Sequence, residues 1–459
     1  MSLTKKLSIL CVPLLLAGCL SSDNDDAPNY TPPTPSLTTA DLRVVHASPD
    51  APSVNILING NVLGGLRDVD YQVGSGILKL LPNTYPIAVN ANLPSGTADV
   101  LTLDAALDGD MTYNVLAIGS VAAGTLDTLV VANPTSPVSA GTVRAQVVHA
   151  APMAPTVDVY VTAPNTDIAS EQALATLAYQ DFTGQVEVPA GDYQIRITPA
   201  GDTTVVFDSG TLSLSAGADL LITATQNVAA GMSPVALVVA DGNATSTLLS
   251  ADTPAAVRAI HAVADAPAVD IIANNALTLV DGAPFKGVTD YLSVDAGTYL
   301  IDIAADADNN VVVIDDASIS LEAGKFYTAL ANNQLANIDL DLIVDMPRAI
   351  ATAAQVRIFH ASQATPAVDI YVTADGSIDD VDPAFSNVPY VTGVLAETGY
   401  VQLPAGDYVV TVTPTGTKTE ALETGVLSLE AGKIYTAFAV DGDMPGDAPQ
   451  LILADDFVN

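Results

Sequence analysis

The chain holds four histidines among 459 residues, and each stands at the same place in a recurring segment. The segments read RVVHASPDAPSVNILI from residue 43, QVVHAAPMAPTVDVYV from 146, RAIHAVADAPAVDIIA from 258 and RIFHASQATPAVDIYV from 357. Six residues after His46, His149, His261 and His360 comes Pro52, Pro155, Pro267 or Pro366, and nine after comes Asn55, Asp158, Asp270 or Asp369. An imidazole and a carboxylate in register could act as general base and orienter, or as two ligands of a metal ion. Neither chemistry is completed by the neighbours. A hydrolase needs a nucleophile fixed relative to its histidine, yet two residues on stand Ser48, Ala151, Val263 and Ser362. A metal centre needs several imidazoles or thiolates within reach, whereas successive histidines are 103, 112 and 99 residues apart. No catalytic residue and no cofactor is assigned. Four matching positions suit a structural device: a ring at a strand end whose nitrogens bond backbone groups of the following turn. The acid nine residues on reads as a hydrogen-bond partner or part of a solvated face.

The elements that must hold these positions are strands. In TVDVYV, Val157, Val159 and Val161 fall on one face while Asp158 and Tyr160 fall on the other, the two-residue period of a half-buried strand. QVEV, PAGD and YQIRI read as a hairpin, with Pro189 opening the turn and Gly191 supplying a left-handed residue. The segments LLPNTY, VPAGDY, VDAGTY and LPAGDY recur with Tyr85, Tyr193, Tyr299 and Tyr408, and further landmarks follow in the same order. The fold expected is all-β: four tandem immunoglobulin-like β-sandwich repeats, each of about seven strands in roughly 100 residues. Their bounds are 41–140, 141–254, 255–352 and 353–459. Alternate histidines are 215 and 211 residues apart, so a pair of repeats was duplicated and the pair is a candidate module.

Ahead of the repeats, Lys5 and Lys6 precede a short apolar run ending in LAGC, the pattern of a bacterial lipoprotein signal peptide over residues 1–18. Cys19 is then the acylated residue, and Leu20 after it favours the outer membrane of a Gram-negative cell envelope. Residues 19–40 are polar, acidic and proline-bearing, a flexible tether. The other cysteine, Cys11, lies in the signal, so no thiol remains for a disulfide or a zinc site. Losing Lys5 and Lys6 takes the net charge from −38 to −40, which repels phosphate backbones and anionic headgroups. Nucleic acid is excluded as a partner, and membrane contact runs through the lipid. Asp306, Asp308 and Asn310 echo the start of a calcium loop but lack its glycine and distant glutamate. They read as a turn.

The HASPDAPSVNILING and PAGDY signatures resemble the bacterial repeat family called domain of unknown function 4397, found in secreted and surface-anchored proteins. The resemblance covers nearly all of residues 41–459, with Asn55 and PNTY departing from it in the first repeat. It implies a fold and a compartment and no activity. The function expected is that of a non-enzymatic surface lipoprotein, a spacer or a binding scaffold for protein or glycan. The alternative is a ligand-binding module with sites in loops, such as residues 163–175 and 375–387, or between paired domains. An enzyme is the third reading. Exposed tyrosines clustered on one face would favour glycan.

Overall fold

The computed structural model describes residues 38–62, 64–390, 395–444 and 446–457. The signal segment, Cys19 and the tether as far as residue 37 lie outside the described residues. Ala40, expected to end the tether, is already a fully buried residue of the first strand.

Repeat 1 consists of β1 (Ala40–His46), β2 (Val54–Ile58), β3 (Asn61–Val62), β4 (Leu78–Leu80), β5 (Asn83–Leu93), β6 (Gly96–Leu107), β7 (Met111–Ile118) and β8 (Asp127–Pro134). They form two sheets, in the orders β4-β1-β7-β8 and β3-β2-β5-β6. β1 pairs antiparallel with β4 and parallel with β7, with His46 opposite Ala117. The other repeats build the same two sheets around Thr142–His149, Ala255–His261 and Ala354–His360, each with a parallel partner. The protein is thus all-β, a series of β-sandwich repeats, and the described residues contain no α-helix.

One local expectation is corrected. QVEV and YQIRI do not form a hairpin: Val186–Pro189 pairs with the first strand of its repeat, whereas Gly191–Pro199 pairs with Val157–Thr162 in the opposite sheet. PAGD is therefore a corner between sheets. Gly191 has φ 157°, at the extended edge of the map, so the turn does not use a left-handed residue there. The corner is held by tyrosine instead, because the Tyr193 hydroxyl donates to the carbonyl of Pro189 at 2.8 Å. Tyr85, Tyr299 and Tyr408 do the same to Leu81, Asp295 and Pro404. Left-handed glycine appears in the EAGK turns, at Gly324 (φ 78°) and Gly432 (φ 81°).

Each repeat has its own aliphatic core between its sheets. The first strands, however, are buried on both faces. In β1, Leu42 and Val44 enter the core of repeat 1, while Val45 joins Leu116, Ile118 and Val131 against Val148, Leu221 and Val238 of repeat 2. Repeats 3 and 4 meet in the same way through Ile260, Leu330 and Ile343 against Phe359, Phe438 and Ile452. The stacked rings of Phe359 and Phe438 lie 4.7 Å apart within this second seam. A strand covered on both sides reads as a continuous apolar run, which is why RVVH, QVVH, RAIH and RIFH lose the alternation seen elsewhere.

The pairs are also joined to each other. The backbone N–H of Ala230 donates to Gly324 O at 2.9 Å. Leu249 packs so close to Gly324 that a Cβ there would lie 2.3 Å from its Cδ1, so close approach and φ both demand glycine. Between repeats 3 and 4, Arg348 donates to Ala51 O at 2.8 Å and pairs with Asp70 of repeat 1.

Candidate functional site

The four histidine side chains are no more than 3 % exposed. In three repeats both ring nitrogens are used on the loop that follows. Nε2–H donates to the proline carbonyl six residues on, from His46 to Pro52 at 3.0 Å, His149 to Pro155 at 3.0 Å and His360 to Pro366 at 3.2 Å. Nδ1 accepts the backbone N–H two residues on, from Ser48, Ala151 and Ser362 at 3.3–3.4 Å. This needs the neutral ring, since a proton on Nδ1 would face another donor. His261 departs: its Nδ1 lies 3.1 Å from Ala283 O, and its buried Nε2 has no hydrogen-bond partner among the described residues.

Burial holds the pKa of all four imidazoles below the ordinary value, against the upward pull of their backbone carbonyl partners. The unfolded chain therefore binds protons that the folded chain refuses. Stability from these groups is complete above the ordinary histidine pKa, about 6.5, and declines as pH falls toward the lowered folded values. Replacing His149 by alanine is expected to cost about 1–3 kcal/mol by orphaning loop groups, and to flatten this acid decline. Urea unfolding at pH 7.5 and pH 5.5 measures both effects, and an unchanged midpoint at neutral pH would refute the role.

The acids nine residues on are equally committed. Asp158 accepts from the Thr176 hydroxyl and from Gly201 N at 2.7 Å, and Asp369 from Asn387 N at 2.7 Å and Gly416 N at 2.8 Å. Asn55 accepts from Asp68 N at 3.1 Å and donates to Asn92. These side chains lie on the strand face opposite the core, yet they are buried, so they are hydrogen-bond partners and not a solvated face. Asp270 accepts from Gly282 N at 2.7 Å. Oxygen atoms of Asp270, Asp281 and Asp306 lie within 4.8 Å of one another, as do those of Asp302, Asp315 and Asp316. The structure thus parts Asp306 from Asp308 and Asn310, which bond each other in a turn through Asn310 N and Nδ2 to Asp308 Oδ1.

Sequence reading missed the ring that flanks each histidine. Tyr71, Tyr179 and Phe285 meet His46, His149 and His261 edge-on at 6.0–6.3 Å, and Tyr390 meets His360 at 6.1 Å. The spacings from histidine, 25, 30, 24 and 30 residues, alternate with the pair period and were the available signal. No described tyrosine is exposed.

The loops after His46 and His149 line an open cleft of about 1050 Å³ together with Pro347, Arg348 and Ala349. Pro49, Asp50, Pro152 and Met153 form one wall, and Met153 is 82 % exposed. Asp50 is fixed by Ser120 Oγ at 2.7 Å and by the N–H groups of Val121 and Ala122 at 2.9 Å. Burial would raise its pKa, but these donors prevail and hold it below the ordinary carboxylate range. The cleft presents apolar and proline surface beside a fixed carboxylate.

No curated protein matches the chain. Among solved structures it is similar to the Bacillus anthracis TIE protein, at 12 % identity and a TM-score of 0.15, covering 85 % of this chain and 68 % of that one. It is similar also to a leucine-rich repeat protein from Bacteroides thetaiotaomicron, at 15 % identity and a TM-score of 0.13, covering 43 % and 27 %. Likenesses this distant carry no argument. The family model described as Domain of unknown function (DUF4397) matches residues 40–160 and 255–371. Each match starts at the first strand of an odd-numbered repeat and ends within the second strand of the next, so it takes in first strands from both sides of a seam. The two regions together span more than half of the chain, which belongs to the DUF4397 family.

Proposed function

We propose that this chain is a non-enzymatic scaffold of the cell envelope, anchored by lipid at Cys19 and offering a rigid surface to a protein partner. The observation that carries this reading is that its recurring polar residues are spent on the fold. Histidines close loops, aspartates bind backbone N–H groups, and the corner tyrosines hold the sheet crossings. A glycan-binding role draws less support, because stacking on sugars needs exposed aromatic rings and every described tyrosine is at least partly covered. The alternative of a ligand-binding module is favoured by the cleft, which lies between a pair of repeats and the segment that joins the other pair. The net charge of −38 argues against nucleic acid in either case.

The mature chain should be screened against envelope proteins and a glycan array, and in parallel against chromogenic ester, glycoside and phosphate substrates. Protein binding is expected to weaken about tenfold or more, roughly 1.4 kcal/mol, with Met153→Arg, and no substrate should turn over. Turnover abolished by His149→Ala in a variant that still folds would overturn the reading.

A further inference from the structure

Repeat 3 contains a cavity that is far smaller in repeats 1 and 4. Its volume is about 260 Å³, against about 30 Å³ between the sheets of repeat 4 and about 20 Å³ in repeat 1. The cause is legible residue by residue. Where the first strand pairs with its parallel neighbour, repeat 3 sets Ala259 opposite Ala329, both in its core. The same inward position is Val44 opposite Val115 in repeat 1, Val147 opposite Ile222 in repeat 2 and Ile358 opposite Ala437 in repeat 4. Repeat 3 alone places the smallest side chain on both strands, and no bulkier neighbour takes up the space.

The remaining wall is mostly aliphatic, including Ile271, Leu279, Ile301, Ile319 and Leu340, together with Arg258, Thr289, Asp290 and two tyrosines. Leu277–Ala283 and Leu292–Val294 are edge strands of the two sheets, and both contribute to the lining, so the cavity reaches the side of the sandwich. Leu292 at that edge is 43 % exposed. The polar groups nearby are already engaged. Arg258 is paired with Asp455 at 2.6 Å, the Tyr291 hydroxyl donates to Asp345 at 2.7 Å, and that of Tyr299 donates to Asp295 O at 2.8 Å. Asp290, exposed beside the opening, disfavours an anion.

We infer that repeat 3 is a binding site for a small, neutral, apolar molecule, which enters between the edge strands and lies against Ala259 and Ala329. A cavity of about 150 Å³ lined by aliphatic and aromatic side chains stays dry and accepts benzene, so this one takes a molecule of roughly fused-ring size. The site is internal to one sandwich and does not depend on the scaffold reading, which concerns the outer surface.

The test is calorimetric titration of the full mature chain, made without lipid, with naphthalene, n-octanol and octanoate as probes. Naphthalene is expected to bind one site per chain, n-octanol more weakly, and octanoate about tenfold or more weaker than n-octanol. Ala259→Val with Ala329→Ile installs the residues that repeat 2 carries at these positions and should abolish binding while raising the melting temperature. Should that double variant fail to fold, Ala259→Val alone narrows the cavity and should weaken naphthalene by about tenfold or more. Absence of naphthalene binding to the wild type, binding unaltered in a folded filled variant, or octanoate matching n-octanol would each overturn the assignment.

Discussion

Replacing Asp345 by alanine is expected to destabilise the protein by about 3–5 kcal/mol, the range found when one partner of a buried ionic network is removed. Asp345 lies at the seam between repeats 3 and 4 with its side chain 3 % exposed. Its Oδ1 pairs with Arg357 of repeat 4 at 3.2 Å, and its Oδ2 accepts from Thr328 Oγ1 at 2.6 Å and Tyr291 at 2.7 Å. Arg258 of repeat 3 stands 3.8 Å away and reaches across to Asp455 at 2.6 Å. Burial works against the charge on both arginines, and the hydrogen bonds that Arg258 donates to Asp455 and Arg357 donates to Glu397 raise their pKa nonetheless. Without Asp345, two guanidinium groups share fewer acceptors in a dry seam. Asp455 and Glu397 remain, which places the expected loss toward the lower end. Urea denaturation of the mature chain measures it, with Glu322→Gln as a control, since Glu322 and Lys325 form an exposed pair of little consequence. If Asp345→Ala unfolds at the wild-type midpoint, the network does not hold the pair together.

The second large effect is expected at Cys19. Cys19→Ser should convert the protein from a membrane-bound to a released form if the proposed lipid at Cys19 is what holds it there. Stable anchoring takes two membrane signals, such as two acyl chains, or one chain with a basic patch. A net charge of −38 disfavours contact with anionic headgroups, and no helix among the described residues is long and apolar enough to cross a bilayer. Fractionation of cells expressing each form, with mass spectrometry of the mature N-terminus, reads the outcome. An unmodified N-terminus on the wild type, or a processed variant that stays with the membrane, would rule out the anchor.

How far the fold was legible depends on the range of the signal. The four histidine segments announced the repeats, and valine alternation in TVDVYV announced the strands, because a two-residue period is written in neighbouring residues. The loop-closing role expected of the histidine lies within the same short range, since its ring partners in three repeats are two and six residues away. The PAGD corner was misread as a hairpin because both place a tight turn between two strands. Only the partners of those strands, in different sheets, tell them apart.

The sequence by itself determined the repeated pattern, the all-β class and the acidity, whereas the ring contacts of His261, with Ala283 rather than with the loop that follows it, came from the tertiary structure. Tertiary structure alone decided which apolar face of each first strand meets its own core and which meets the next repeat. Alternation fixes that Val44 and Val45 point opposite ways, but both are valine, and nothing local says which side is the seam. It decided the three-acid clusters as well, since Asp270, Asp281 and Asp306 converge only through strand pairing across 36 residues. The cavity of repeat 3 is the plainest case. An alanine at 259 and an alanine at 329 are unremarked in a chain rich in alanine, and they become one void only when a parallel register sets them side by side. Register depends on contacts 70 residues apart, which no local period carries.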